Sequence, residues 1–223
     1  MAAARSRSWR SVALRKFCPE FEIREWNEDN CDIHCCPYVE EAYTSKKYAF
    51  VTDYVRLYAM YMCGGVYMDT DVEVVRSLDK FLSCRAFSGF ESTHYVPTGI
   101  MASEKGLPVI KELLEYYTGR HFLKADGSQD TTTNCVSITN IMLSHGLKLD
   151  GKLQTVEDFT FYPADFFCPF ENETGILRKT DNTAAIHWFN KSWLPKGMRF
   201  RCKITRACRR LFGKNCLDWL KRK

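Results

Sequence analysis

The sequence predicts an α/β fold, and three observations carry that expectation. Short apolar runs bounded by turn residues alternate with stretches of helical spacing, as strands alternate with helices in a layered α/β domain. A Gly64-Gly65 break separates a long helical stretch from an apolar run that ends in two aspartates. The 223 residues, rich in aromatics and ordinary in Gly and Pro, suffice for one well-cored domain and argue against global disorder.

The elements follow in chain order. Trp9, Val12, Ala13 and Phe17 can form one apolar stripe, so a basic leading helix is expected, running into a strand over residues 21–26. Asn27 to Asn30 is polar and turn-like. From Tyr38 to Cys63, Ala49, Phe50, Tyr54, Leu57, Tyr58 and Tyr61 recur near helical spacing, predicting one or two helices that Gly64-Gly65 stops. Residues 66–75 form a strand region interrupted by the aspartates, and 85–91 and 95–102 are further strands. Leu107 to Tyr117 is a helix with Pro108 in its first turn. Thr133 to His145 is another, closed by Gly146. Residues 159–170 are aromatic and extended, broken by Pro163 and Pro169, and 184–189 form a last short strand. The expected organisation is an α/β domain over 1–197 and a basic amphipathic tail over 198–223.

Composition excludes several classes. No uninterrupted apolar run is long enough to cross a bilayer. The first residues are basic but lack the apolar centre of a secretory signal, and the leading-helix reading is favoured over a transit peptide. Eleven cysteines, an odd number with no C-x-x-C pair, fit buried thiols in a reducing compartment better than a disulfide framework. Cys31, His34, Cys35 and Cys36 cluster without the paired spacing of a tetrahedral zinc site. The net charge of +5 is uneven: the tail from Arg199 carries +9, leaving the body at about −4.

The chemistry concentrates in three places. Asp69 and Asp71, one residue apart after Gly-Gly and an apolar run, can turn two hard oxygen ligands onto one divalent cation at a strand end. Mg²⁺ or Mn²⁺ held this way is usually completed by water and substrate phosphates. Asp53 and Arg56 share a helix face at i,i+3. They are either an ordinary surface ion pair or a carboxylate and guanidinium that hold sugar hydroxyls and phosphate. The apolar neighbours Phe50, Val51 and Leu57 suggest a half-buried helix. His187 lies in Ile186-His187-Trp188-Phe189-Asn190-Lys191-Ser192-Trp193, which reads equally as a core strand or as a further metal ligand followed by phosphate donors.

Thr52-Asp53-Tyr54-Val55-Arg56-Leu57-Tyr58 followed by Gly64-Gly65-Val66-Tyr67-Met68-Asp69-Thr70-Asp71 closely resembles the DXD-containing sugar-transfer region of a glycosyltransferase family. That family includes bacterial capsular and lipopolysaccharide sugar transferases and Golgi initiating mannosyltransferases. The likeness runs from about Ser8 to Trp193, through residues 17–27, Ser103 to Pro108, Phe161-Tyr162-Pro163 and Ile186-His187-Trp188. The resemblance implies a GT-A-like fold built on a Rossmann-type sheet, and transfer of a hexose with retention of configuration. The donor would be a UDP- or GDP-hexose, and the acceptor a glycan or lipid-linked sugar in surface polysaccharide synthesis. By the same likeness, Asp69 and Asp71 are the catalytic, metal-holding pair and His187 a further ligand to Mn²⁺ or Mg²⁺. Asp53, Arg56, Asp69, Ser192 and Trp193 would bind the donor. Two departures stand out: the chain starts after the Ile-Pro-Lys-x-Ile-His strand usual in the family, and Thr98-Gly99 replaces an expected Asn. The first-strand element is therefore expected to be missing.

In the tail, Ile204, Cys208, Leu211, Phe212, Cys216, Trp219 and Leu220 follow helical spacing between basic residues, with Gly213 as an interruption. Such a helix lies on an anionic membrane or folds its stripe into the core. The expected localisation is cytoplasmic, peripheral on the inner membrane face. Rival functions are a degenerate transferase, a membrane-binding module without catalysis, and a haloacid-dehalogenase-type phosphohydrolase, for which Glu73 stands where Thr or Val is wanted. No recognised nucleic-acid motif is visible, and no nucleic-acid partner is expected.

Overall fold

The computed structural model describes residues 9–92, 94–96, 99–190, 194 and 196–216. It is a mixed α/β structure in three layers. A five-stranded sheet in the order β1-β4-β3-β6-β5 occupies the middle. Its strands are β1 (Gly65–Met68), β3 (Ala86–Gly89), β4 (Ile100–Ser103), β5 (Gln154–Val156) and β6 (Phe159–Tyr162). Only β3 and β6 run parallel among the described strands, with Ala86 opposite Phe159 and Gly89 opposite Tyr162. A separate ribbon pairs β2 (Val72–Val74) with β7 (Ala185–His187), antiparallel, with Val72 opposite His187.

The alternation of side chains along the strands explains the layering. Ala86 and Met101 point into one apolar cluster, while Phe87, Ile100 and Ala102 point into the other. The first cluster is completed by α2 (Pro37–Thr44), α3 (Tyr48–Cys63), α4 (Pro108–Glu115) and α5 (Asn134–Ser144). The second is completed by α1 (Trp9–Phe17), α6 (Ala164–Phe167) and the β2/β7 ribbon.

α3 is the element that delivers the motif. Phe50, Val51, Val55, Leu57 and Met60 bury one face of it in the first cluster. Gly64 ends it with φ of +71°, donating its N–H to the Met60 carbonyl at 2.8 Å. A Cβ there would sit 2.8 Å from the Lys105 nitrogen, so glycine is required both by backbone and by space. The chain then enters β1 at the sheet edge.

Several expectations are corrected. Residues 21–26 form no strand. A strand needs a ladder partner, and this segment instead lies with Ile23 exposed while Trp26 packs edge-on to Tyr58 of α3. The 66–75 region is not one interrupted strand but β1 and β2, which belong to different sheets. The second half of the 159–170 stretch is helical: Pro163 takes an extended conformation at the N-terminus of α6. β4 begins only at Ile100, and β5 arises where no strand was expected.

The basic tail is helical as α7 (Lys196–Phe212), so the expected boundary at 197/198 falls inside a helix. Gly213 ends it with φ of +90°. Its apolar side is not in the core: Phe200 is 65% exposed and Leu211 75%. Among the described residues, no helix is long and apolar enough to cross a membrane.

Candidate metal and sugar-donor site

The site assembles at the junction of the two sheets. Asp69 leaves the end of β1 with its N–H bonded to the Gly99 carbonyl at 2.8 Å, beside β4. Its own carbonyl accepts from the Val72 N–H at 3.0 Å, closing a tight turn that carries Asp71 to the start of β2. The expectation was a shared strand face with a turn at the strand end letting the two carboxylates converge, and a turn of that kind is present at the end of β1.

His187 ends β7, directly opposite Val72. Its Nε2 lies 3.3 Å from Asp71 Oδ1. Asp69, Asp71 and His187 each offer a ligand atom within 4.8 Å of the others. All three are half-buried. Asp69 also lies 3.2 Å from the Arg56 guanidinium of α3.

Two carboxylates and an imidazole are a sound donor set for a divalent ion that keeps open positions for substrate oxygens. The imidazole tilts that set from Mg²⁺ toward a transition ion such as Mn²⁺. Burial opposes protonation of His187, but the Asp71 hydrogen bond and the charges of Asp71, Asp69 and Glu91 outweigh it and raise its pKa. The same negative charges that favour the protonated imidazole would also favour a bound cation.

The His187 ring is fixed from several sides. Gly99 abuts it so closely that a Cβ would lie 2.7 Å from Nδ1. Nδ1 itself is buried without a hydrogen-bond partner among the described residues. Phe189 packs its ring 4.0 Å from the imidazole centroid. Phe189 adopts a left-handed backbone, φ +48°, unusual for a bulky residue. That bend lets the Asn190 N–H reach Asp71 Oδ2 at 2.8 Å, while the Trp188 N–H donates to the Asp71 carbonyl at 3.1 Å. Asp71 is thus held by the strand exit that also carries the histidine.

Behind this cluster lies Arg56, almost fully buried on α3. It meets Asp53 Oδ1 at 3.3 Å and Asp69 Oδ1 at 3.2 Å, and donates from Nε to the Thr52 carbonyl at 3.2 Å. Its guanidinium lies 4.8 Å over the Tyr67 ring. The Tyr67 hydroxyl in turn donates to Asp69 Oδ1 at 2.8 Å. The pair read from i,i+3 spacing is therefore a buried bridge to the motif, not a surface ornament. Burial pushes the Asp53 carboxyl up to about 6; Arg56 and the Asn134 N–H pull down and Asp69 pushes up again.

Asn134 has no motif to announce it. At the start of α5, its N–H donates to Asp53 Oδ2 at 3.1 Å and its Nδ2 to the Asp53 carbonyl at 2.6 Å. A helix N-terminus facing a carboxylate is the signal that could have pointed to it. Ser192 and Trp193 lie outside the described residues. An open cavity of about 570 Å³ near His34, Cys35, Cys36, Glu40 and Leu123 contains none of the site residues.

Residues 8–88 match the family model of the glycosyltransferase sugar-binding region containing DXD motif. The resemblance read from the sequence therefore holds over that stretch, from α1 through the aspartate turn into β3. Comparison with curated proteins and with solved structures gave no match. The matched segment carries Asp53, Arg56, Asp69 and Asp71; His187 reaches the cluster from beyond it.

Proposed function

We propose that the chain is a metal-dependent, retaining glycosyltransferase. It moves a hexose from a UDP- or GDP-linked donor to a glycan or lipid-linked acceptor in surface polysaccharide synthesis, on a GT-A-like domain lying at a membrane face. The observation that supports this most is the convergence of Asp69, Asp71 and His187 beside a buried arginine, in a chain whose DXD segment matches a glycosyltransferase region.

Asp69, Asp71 and His187 Nε2 would hold Mn²⁺ or Mg²⁺. When bound, the ion supplies positive charge against the departing nucleoside diphosphate. The protein's own groups do the rest. Arg56, already aligned by Asp53 and Asp69, donates to sugar hydroxyl or phosphate oxygens as negative charge builds on the leaving group. Asp53 accepts from the sugar hydroxyls and is kept in place by Asn134. Tyr67 fixes the rotamer of Asp69. The half-buried setting strengthens each of these contacts by keeping bulk water back. The acceptor hydroxyl attacks on the face the leaving group vacates, and a phosphate oxygen takes its proton. Ser192 and Trp193 are assigned to the diphosphate on the resemblance alone.

The test is nucleotide release from a panel of UDP- and GDP-sugars with Mn²⁺, with and without acceptor. The expected result is turnover with one donor, lost on chelation and lost in Asp71→Ala. Full turnover under strict chelation would reject the mechanism. Mn²⁺ binding without turnover of any donor would make the chain a binding module.

A further inference from the structure

We infer that α7 is the surface by which this protein rests on an anionic lipid bilayer, with its arginine-rich side turned inward and its apolar side outward. This assignment does not depend on the transferase reading. Amphipathic helices on soluble domains normally bury the apolar stripe and expose the charges. Here the apolar stripe is exposed, while Arg206 and Arg209 face the domain.

The inward side is held by polar contacts. Arg206 donates from Nε to the Asn172 carbonyl at 2.9 Å, and from its terminal nitrogen to Asn172 Oδ1 at 2.7 Å and the Phe189 carbonyl at 3.2 Å. Its guanidinium lies 5.3 Å over the Phe170 ring. Arg209 reaches Glu173 at 3.5 Å, and Lys214, just past the helix, pairs with Glu171. These contacts fix the helix's rotation about its axis.

The opposite side then presents Phe200, Ile204, Ala207 and Leu211, spaced i, i+4, i+7 and i+11 along one stripe. All four are exposed, Phe200 at 65%, Ile204 at 49% and Leu211 at 75%. Exposed Arg201 flanks the stripe on one side, and exposed Lys203 and Arg210 on the other. Long basic side chains beside an apolar stripe can reach phosphate headgroups while the stripe enters the acyl boundary. The charge balance selects the lipid: the +9 tail sits on a body of about −4, so an anionic surface attracts this face and repels the rest. Arg206 also ties the helix to the Phe189 carbonyl, two residues from His187, so a docked helix positions the histidine strand near the bilayer plane.

The test is flotation of the full chain with vesicles of phosphatidylcholine alone or mixed with phosphatidylglycerol. The intact protein should float with the anionic vesicles only, and release in high salt. Phe200→Ser/Ile204→Ser/Leu211→Ser and Lys203→Glu/Arg210→Glu should each lower the bound fraction about tenfold or more, with unchanged circular dichroism. Donor turnover in free solution, read in the same samples, should be unaffected by either change. Failure of the intact, folded protein to float on anionic vesicles would overturn the inference, as would flotation of the triple serine variant at the native level. Capture by soluble polyglutamate without vesicle binding would also overturn it, and would assign the face to an acidic protein. Flotation without turnover would leave the docking surface standing and count against the transferase reading.

Discussion

Two arginines in this molecule, Arg56 buried and Arg120 half-buried, are built into similar surroundings and do different things. Arg120 lies over the rings of Tyr38 and Tyr116, at 4.8 and 4.6 Å, and grips Asp130 Oδ2 from Nε at 3.0 Å and from its terminal nitrogen at 2.6 Å. Arg56 lies over Tyr67 and faces both Asp53 and Asp69. They are joined through Asn134 and Tyr117, whose amide and hydroxyl are 3.4 Å apart. What differs is the charge balance. At Arg120, burial disfavours the Asp130 carboxylate, but the arginine and Thr132 more than compensate, and its pKa is lowered. At Arg56 one guanidinium serves two carboxylates, and burial of Asp53 outweighs Arg56 and Asn134, with Asp69 adding to it, so its carboxyl is pushed up to about 6. A balanced pair closes a fold; a pair with surplus negative charge is better suited to a cation or a hydroxyl-rich ligand.

The comparison is broken most directly at the surplus charge. Asp71→Ala should abolish Mn²⁺-dependent nucleotide release while leaving the circular dichroism unchanged. Retained turnover would show that the excess carboxylates serve nothing. Next in size is the exchange of arginines. Arg56→Gln should lower kcat/KM by about a hundredfold or more. Arg120→Gln should leave kcat/KM within a few fold but cost about 2–3 kcal/mol in urea unfolding, because it strands Asp130. The reverse pattern would erase the distinction.

A subtler probe is Gly99→Ala, whose Cβ would press on the His187 ring. Mn²⁺ affinity by isothermal titration should weaken by about tenfold or more, while Asp69 and Asp71 remain. An unchanged affinity would remove His187 from the ligand set. A last probe is stability against pH, where the two clusters have opposite signs. Asp53 is raised from 3.8 to about 6, so its stabilisation is complete below pH 3.8 and is lost as pH rises through about 6. Asp130 is lowered, so its stabilisation is present above 3.8 and is lost as pH falls through its folded value. Asp53→Asn should therefore remove a decline on the order of 2–3 kcal/mol between pH 4 and 6, and Asp130→Asn should remove an acid-side loss. Urea melts across pH 3–7 would read both.

Local signals made much of this legible. α3, its glycine stop and the aspartate turn were readable because helical spacing, Gly-Gly and Asp-x-Asp sit within one short stretch. The extent of α4 and α5 was also close to the pattern. Residues 21–26 were misread because alternation describes a strand's faces but not whether a neighbouring strand exists to pair with it. The split of 66–75 between two sheets was hidden for the same reason. Asn134 was invisible because its role comes from a contact eighty-one positions away in sequence. Phe189 was invisible because its left-handed backbone is imposed by the anchoring of Asn190 and Arg206, not by its own preference.

The aspartate turn has a mechanical consequence. Asp69 belongs to the end of the five-stranded sheet, whereas Asp71 and His187 belong to the two-stranded ribbon. Anything that grips all three rivets two independently hydrogen-bonded sheets across their seam. Loading with a divalent ion should then register as a concentration-dependent rise in melting midpoint, carried chiefly by slower exchange of the β2 and β7 amides.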